Sequence, residues 1–222
     1  MSTRPALLAL GVIASLTACN FALARSKPVV LPDPKIDAPR TPAAHDAVAV
    51  FAGGCFWGVE AVFDHVRGVR EAVSGFAGGP AGAAQYDTVS TGASGHAESV
   101  RVAYDPRQVT YGQLLKIYFS VAHDPTQLDR QAPDVGPQYR SEVFTTTPEQ
   151  ARIAKAYIAQ LGAAKVFDAR DDGRVEPLKG FYPAEAYHQD YLAHHPNQPY
   201  IVYNDAPKLV ALKQLFPAFY RG

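Results

Sequence analysis

Apolar positions along the chain follow two patterns: short runs bounded by Gly, Pro or Asp, and stretches spaced three and four apart. Ala47-Val48-Ala49-Val50-Phe51-Ala52 is a run of the first kind and stops at Gly53-Gly54, which predicts a buried strand entering a tight turn. Phe56, Val59, Phe63 and Val66 then recur on one helical face, so strand, turn and helix follow one another with Cys55 at the turn. Val69 to Phe76 and Glu98 to Tyr104 read as strands, the second closed by Asp105-Pro106. The intervening Gly75 to Gly95 is too polar and too broken by glycine for a core element. Thr110-Tyr111-Gly112-Gln113 is a capping box, and Leu114, Leu115, Tyr118, Phe119 and Ala122 follow at helical spacing until Asp124-Pro125. Tyr139 to Thr145 reads as a strand. A helix is predicted from Thr147, with Pro148 at its first position, Gln150 closing a second box, an apolar face of Ile153, Ala154, Tyr157, Ile158 and Leu161, and a stop at Gly162. A strand at Arg174 to Leu178 and a helix from about Pro183 to His194 complete the set. No internal repeat is present. Strands interspersed with helices in one unit, residues 46–222, predict a single α+β domain: a mixed, mainly antiparallel sheet with packed helices.

Residues 1–24 contain one basic residue, Arg4, no acid, and an apolar stretch from Ala6 to Ala18 too short and Ala-rich for a stable span. They read as a secretory signal, with Ala22-Leu23-Ala24 as a small-x-small cleavage site. Leu16-Thr17-Ala18-Cys19 also fits a lipobox, which would put a membrane-tethering lipid on Cys19. A periplasmic or envelope location follows from either exit. Residues 25–45, with Pro28, Pro32, Pro34, Pro39 and Pro42, read as a semi-extended tether; Val29-Val30-Leu31 offers the alternative of an arm docked on the domain.

Composition narrows the function. Hydrophobic residues make up 47% of the chain, enough for a sizeable core, and 21 Lys+Arg balance 21 Asp+Glu, so no basic footprint points to nucleic acid. Two cysteines cannot build a disulfide framework or a four-cysteine zinc site, and no His, Cys and carboxylate set has ligand spacing, so no metal is expected. Cleavage after Ala24 would remove Met1 and Cys19, leaving no Met and one Cys.

That cysteine stands in Gly53-Gly54-Cys55-Phe56-Trp57-Gly58. A Cys at the first turn of a helix meets free backbone N–H groups and the positive end of the macrodipole, both of which favour the thiolate nucleophile. Gly95-His96-Ala97-Glu98-Ser99 sets an acid at the start of an apolar strand, where desolvation would make it a general acid at neutral pH. Asp134 to Ser141 puts a carboxylate and the Tyr139 phenol at a turn into a strand. His96 and His188 read as hydrogen-bonded structural histidines, and His194-His195 as a cationic patch at a helix end.

From about Val48 to Phe216 the sequence resembles the peptide methionine sulfoxide reductases of the A type. The resemblance is carried by Gly-Cys-Phe-Trp-Gly at 54–58, Gly-His-Ala-Glu at 95–98, Gln-Tyr-Arg-Ser at 138–141 and Tyr-His-Gln-Asp-Tyr at 187–191. It implies a ferredoxin-like core, a monomer without bound cofactor, and reduction of methionine-S-sulfoxide, free or in oxidised proteins. It further implies that Cys55 attacks sulfur, that Glu98 donates to the oxygen with help from the phenols of Tyr86 and Tyr139, and that Phe56 and Trp57 hold the S-methyl group. Asp134 would organise the site, and Cys55 would be left as a sulfenic acid. The chain departs from the pattern at Pro137, where Thr is common, and at Ala84-Gln85, where Pro-Thr is usual. It also lacks any cysteine from Leu192 to Gly222, where relatives commonly carry those that resolve the sulfenic acid. Recycling is therefore expected from an external thiol, a small molecule or a thioredoxin-like protein. A thiol peroxidase or sulfenate sensor, and a module that binds oxidised Met without reducing it, are the competing readings.

Overall fold

A computed structural model describes residues 28–40, 46–167 and 174–222. The signal and lipobox, with Cys19, lie outside the described residues. The apolar run forms β1 (Ala47–Gly53), and its lack of alternation has a simple cause: it is covered on both faces. Ala49 and Phe51 enter the main core, whereas Val50 and Ala52 join a smaller cluster with Ala77, Ala97 and Phe144. Helix α1 (Phe56–Asp64) follows, then β2 (Val69–Ala77), the short α2 (Tyr86–Val89) and β3 (Ala97–Tyr104). Helix α3 (Tyr111–Ile117) continues into a π-helical turn, Tyr118–Ala122; β4 (Arg130–Gln131) and β5 (Asp134–Val135) make a two-stranded ladder. Beyond it come β6 (Ser141–Thr145), α4 (Pro148–Ala163), β7 (Arg174–Pro177), β8 (Phe181–Pro183), α5 (Tyr191–His194), a π-helical turn at Ile201–Asp205 and α6 (Ala206–Leu215). The six-stranded sheet has the order β7-β6-β1-β3-β2-β8, antiparallel except for the β6–β7 pair. This is the mixed, mainly antiparallel α+β domain expected.

Local signals behave unevenly. The box at α3 closes, with Gln113 N donating to Thr110 Oγ1 (3.2 Å) and Thr110 N to Gln113 Oε1 (3.0 Å). At α4 only half forms: Gln150 N donates to Thr147 Oγ1, but Gln150 Oε1 accepts from Thr146 N and its Nε2 donates to Val48 O, tying the helix to β1. The continuous helix expected over 183–194 is absent. Pro183 ends β8, a 3₁₀ turn spans Ala186–His188, Asp190 takes φ +52°, and only then does α5 begin. Gln189 is the reason: its amide accepts from Ser74 N and donates to Ser74 O and Ala184 O, fastening the segment to the sheet edge. Helix α6 went unpredicted because its apolar residues do not gather on one face and Lys208 is one of its buried positions.

The expected tether is corrected over residues 28–40, which lie on the domain as an arm. Leu31 is 2% exposed. Its N–H donates to Ser120 Oγ, Tyr157 OH donates to Pro32 O, and Asp37 accepts from Thr110 Oγ1 and Gly112 N at the start of α3. The proline-rich composition left the backbone free to be held by such side chains. Leu31→Ala is expected to lower unfolding stability by about 2–3 kcal/mol, the low end for a buried Leu because an arm can relax; urea unfolding checks this, and a free tether would give no change. Among the described residues no helix is long and apolar enough to cross a membrane.

Candidate active site

The turn between β1 and α1 requires its glycines. Gly54 has φ +89°, and a Cβ there would lie 2.5 Å from Cβ of Gln131, whose side chain is bonded at both ends to the Asp124 backbone. Gln131 of β4 can therefore lie close against Gly54, next to Cys55, the N-cap of α1. Cys55 is 8% exposed. Burial pushes its thiol well above the ordinary range, reinforced by the negative charges of Glu98 and Asp205; the Trp57 amide and Lys208 act weakly the other way. The expectation that the helix start alone would favour a thiolate is corrected. Desolvation outweighs the helix terminus, and Cys55 rests as a thiol.

Glu98 enters from β3, paired with Phe76 of β2 across the sheet. It is 2% exposed, and its Oε2 accepts from Phe56 N (3.0 Å), the first amide of α1. Burial raises its pKa to about 8; the Phe56 amide opposes the shift, and the carboxylates of Asp134 and Asp205 add to it. At neutral pH Glu98 holds a proton. Tyr86, at the start of α2, and Tyr139, at the end of a 3₁₀ turn (Pro137–Tyr139), are half-buried. Both phenols are pushed up, Tyr86 to about 12, first by burial and then by Glu98, with Cys55 and Asp134 also acting on each. The structure thus brings Cys55, Glu98, Tyr86, Tyr139 and Asp134 to one place.

The aromatic wall is held by residues that sequence reasoning did not connect to it. Trp57 lies flat on Tyr191, ring centroids 3.8 Å apart and planes 8° apart, and meets the edge of Tyr200 at 86°. Its indole N–H donates to His188 Nδ1 (3.2 Å). His188 is buried, which lowers its pKa and keeps it a neutral acceptor, and its ring packs on Phe56 and Tyr86. Tyr200 OH donates to Asp134 Oδ2, so Asp134 is anchored to the same wall. Beneath α1, Asp205 and Lys208 form a buried ion pair (3.1 Å). The only signal for that pair was Gly58, inside a helix where Ala would be preferred. His96 accepts from Gly79 N and its other nitrogen faces Pro80 O, tying down the Gly-rich segment; His194 and His195 are exposed, with His195 against Tyr191.

Glu60, Asp64 and Asp190 also lie close together, their carboxylate oxygens within 4.8 Å. Glu60 accepts from Ser74 Oγ (3.0 Å), and burial raises it to about 7 and Asp64 to about 6.

The site thus joins a buried thiol, a carboxyl that keeps its proton at neutral pH and a wall of rings, the groups a thiol-dependent enzyme would need. Comparison with known proteins specifies which. A family model described as peptide methionine sulfoxide reductase matches residues 47–218. The chain is 60% identical over 172 residues to peptide methionine sulfoxide reductase MsrA 2 of Mesorhizobium japonicum, covering 78% of this chain and 88% of that one. It is 50% identical over 189 residues to MsrA 2 of Synechocystis, covering 84% and 88%. Among solved structures it is similar to methionine sulfoxide reductase A of Corynebacterium diphtheriae (TM-score 0.61, 36% identity, 71% of this chain and 78% of that one). It is likewise similar to reduced Mxr1 of Saccharomyces cerevisiae (0.63, 31%, 74% and 92%). The chain belongs to the peptide methionine sulfoxide reductase family. It is an oxidoreductase that acts on sulfur, reducing methionine sulfoxide.

Proposed function

We propose that the chain reduces the S epimer of methionine sulfoxide, free or within oxidised proteins, by direct attack of Cys55 on sulfur. The observation that carries this reading is the neutral Glu98 carboxyl at the head of α1, bonded to the amide next to Cys55. A sulfoxide sulfur becomes electrophilic as its oxygen is protonated, so Glu98 gives its proton to that oxygen while Cys55 sulfur bonds to the substrate sulfur. The phenols of Tyr86 and Tyr139 donate to the oxygen as charge develops there. Phe56 and Trp57 receive the S-methyl group, and Asp134, held by Tyr200, organises the phenol side.

The oxygen then passes to the enzyme. The S–O bond of the substrate breaks, methionine leaves, Cys55 becomes a sulfenic acid, and the thiol proton returns to Glu98. The balance is one thiol and one sulfoxide giving one sulfenic acid and one thioether. Among the described residues Cys55 is the one cysteine. An external thiol, small or borne by a thioredoxin-like protein, reduces the sulfenic acid through a mixed disulfide on Cys55, with water released. The leader read in residues 1–24 supports work in the periplasm or envelope, with Cys19 as the lipid-bearing residue if the lipobox is used.

Turnover of resolved epimers with dithiothreitol tests the reading. The S epimer is expected to be reduced and the R epimer spared, with Cys55→Ser inactive and peroxide a poor substrate. Without reductant, one equivalent of methionine is expected per enzyme, together with a sulfenic acid trapped at Cys55 by mass spectrometry. Methionine release with Cys55 unmodified would defeat the proposal.

A further inference from the structure

The first turn of α1 is pressed against a buried pair of opposite charges. Asp205, which ends the π-helical turn at Ile201–Asp205, is 1% exposed, and Lys208 of α6 is 8% exposed. Lys208 Nζ meets Asp205 Oδ1 at 3.1 Å, while Asp205 Oδ2 is buried without a hydrogen-bond partner. A Cβ at Gly58 would lie 2.1 Å from Asp205 Oδ1 and 2.6 Å from Lys208 Nζ, so the pair occupies the space a side chain would take in the turn that Cys55 caps. Burying two ions offsets most of their attraction, so such a pair does little for stability. Its place points to another use. The positive end of a helix favours an anion, and here an anion is already installed beside it before Cys55 ionises.

We propose that Asp205 and Lys208 are positioning residues for the reaction, setting by their opposed charges how readily Cys55 ionises. Asp205 adds to the burial that keeps the thiol protonated, and Lys208 limits that effect so that the thiolate stays within reach when a substrate takes the Glu98 proton. The directions felt at Cys55 agree: Asp205 raises the thiol and Lys208 lowers it. The other groups that act on Cys55 are Glu98 of β3 and the phenols of Tyr86, Tyr139 and Tyr200; Asp134 of β5 faces Glu98 and those phenols, and the neutral His188 packs on Phe56. Of the groups that act on Cys55 by charge, Lys208 is the cation. The benefit for turnover rests on Cys55 being the nucleophile; the ionisation itself does not.

Alkylation of Cys55 by iodoacetamide, followed from about pH 6 to about pH 10, tests the proposal without any sulfoxide. Asp205→Asn should move the profile to lower pH, giving roughly tenfold faster alkylation on the rising limb. Lys208→Met should move it to higher pH and slow alkylation by a similar factor, and the double variant should return near wild type. A purely structural pair would move both single variants the same way or neither, and that result overturns the proposal. If circular dichroism shows Lys208→Met to be unfolded, Asp205→Asn and the double variant decide: the first must shift and the second must shift back. Sulfoxide turnover by Cys55→Ser is measured separately, so failure of the nucleophile assignment is distinguishable from failure of this one.

Discussion

Glu98→Gln is expected to lower kcat/KM for methionine sulfoxide by a factor on the order of 10² to 10⁴, the range that a positioned general acid contributes. Gln keeps the shape and an oxygen to accept from Phe56 N, so the N-terminus of α1 and the aromatic wall stay in place. What it lacks is the proton. The loss should fall on kcat more than on KM, because the proton is needed in the transition state and little in the bound sulfoxide. Wild-type turnover should decline as pH rises through about 8, where Glu98 ionises, and Glu98→Gln should lack that decline. Stability follows with a definite sign. The folded pKa is raised from 4.5, so Glu98 contributes its full stability below about 4.5 and loses it as pH rises through about 8, at about 1.4 kcal/mol per pH unit in between. Thermal melts of the variant should therefore depend less on pH across that window. Activity within threefold of wild type would mean that the sulfoxide oxygen takes its proton elsewhere, with Tyr86 and Tyr139 the next candidates.

What was legible in the sequence was local in it. Gly53-Gly54-Cys55-Phe56-Trp57-Gly58 announced a strand, a turn and a helix start, and all three are present. Glu98 could be nominated because an acid at the head of an apolar strand must meet burial. The supporting contacts could not be read, since they join positions far apart: Trp57 to His188 across 131 residues, Tyr200 to Asp134 across 66. The ionisation state of Cys55 was missed for a related reason. A helix start is a local feature that favours the thiolate, whereas the burial that overrides it, with the charges of Glu98 from β3 and Asp205 added, is assembled by tertiary packing. Proline content likewise indicated an extended segment at 25–45 but carried no information on whether Tyr157, Thr110 and Ser120 would hold it.

Gly58→Ala should be disruptive for a single methyl. Intrinsic propensity alone favours the change by about 1 kcal/mol, since Gly is the poorer helix former. Against this, the new Cβ would stand 2.1 Å from Asp205 Oδ1 and 2.6 Å from Lys208 Nζ. Both are ends of side chains, yet neither has free space to enter: Asp205 is 1% exposed and Lys208 8%. Relief requires separating the pair or moving α1 from the turn at Ile201–Asp205. Separating buried partners costs about 3–5 kcal/mol, and overpacking with backbone shift about 1–3 kcal/mol. Set against the helix gain, a net loss of about 0–2 kcal/mol is expected if α1 shifts and about 2–4 kcal/mol if the pair separates, read in urea unfolding. Displacement of α1 also shifts the Phe56 amide away from Glu98 Oε2 and the Trp57 indole away from His188, so the folded fraction should turn over sulfoxide more slowly than wild type. In the Asp205→Asn background the clash remains but separation strands no carboxylate, so the stability penalty of Gly58→Ala should shrink. An undiminished penalty would show that the cost is steric alone.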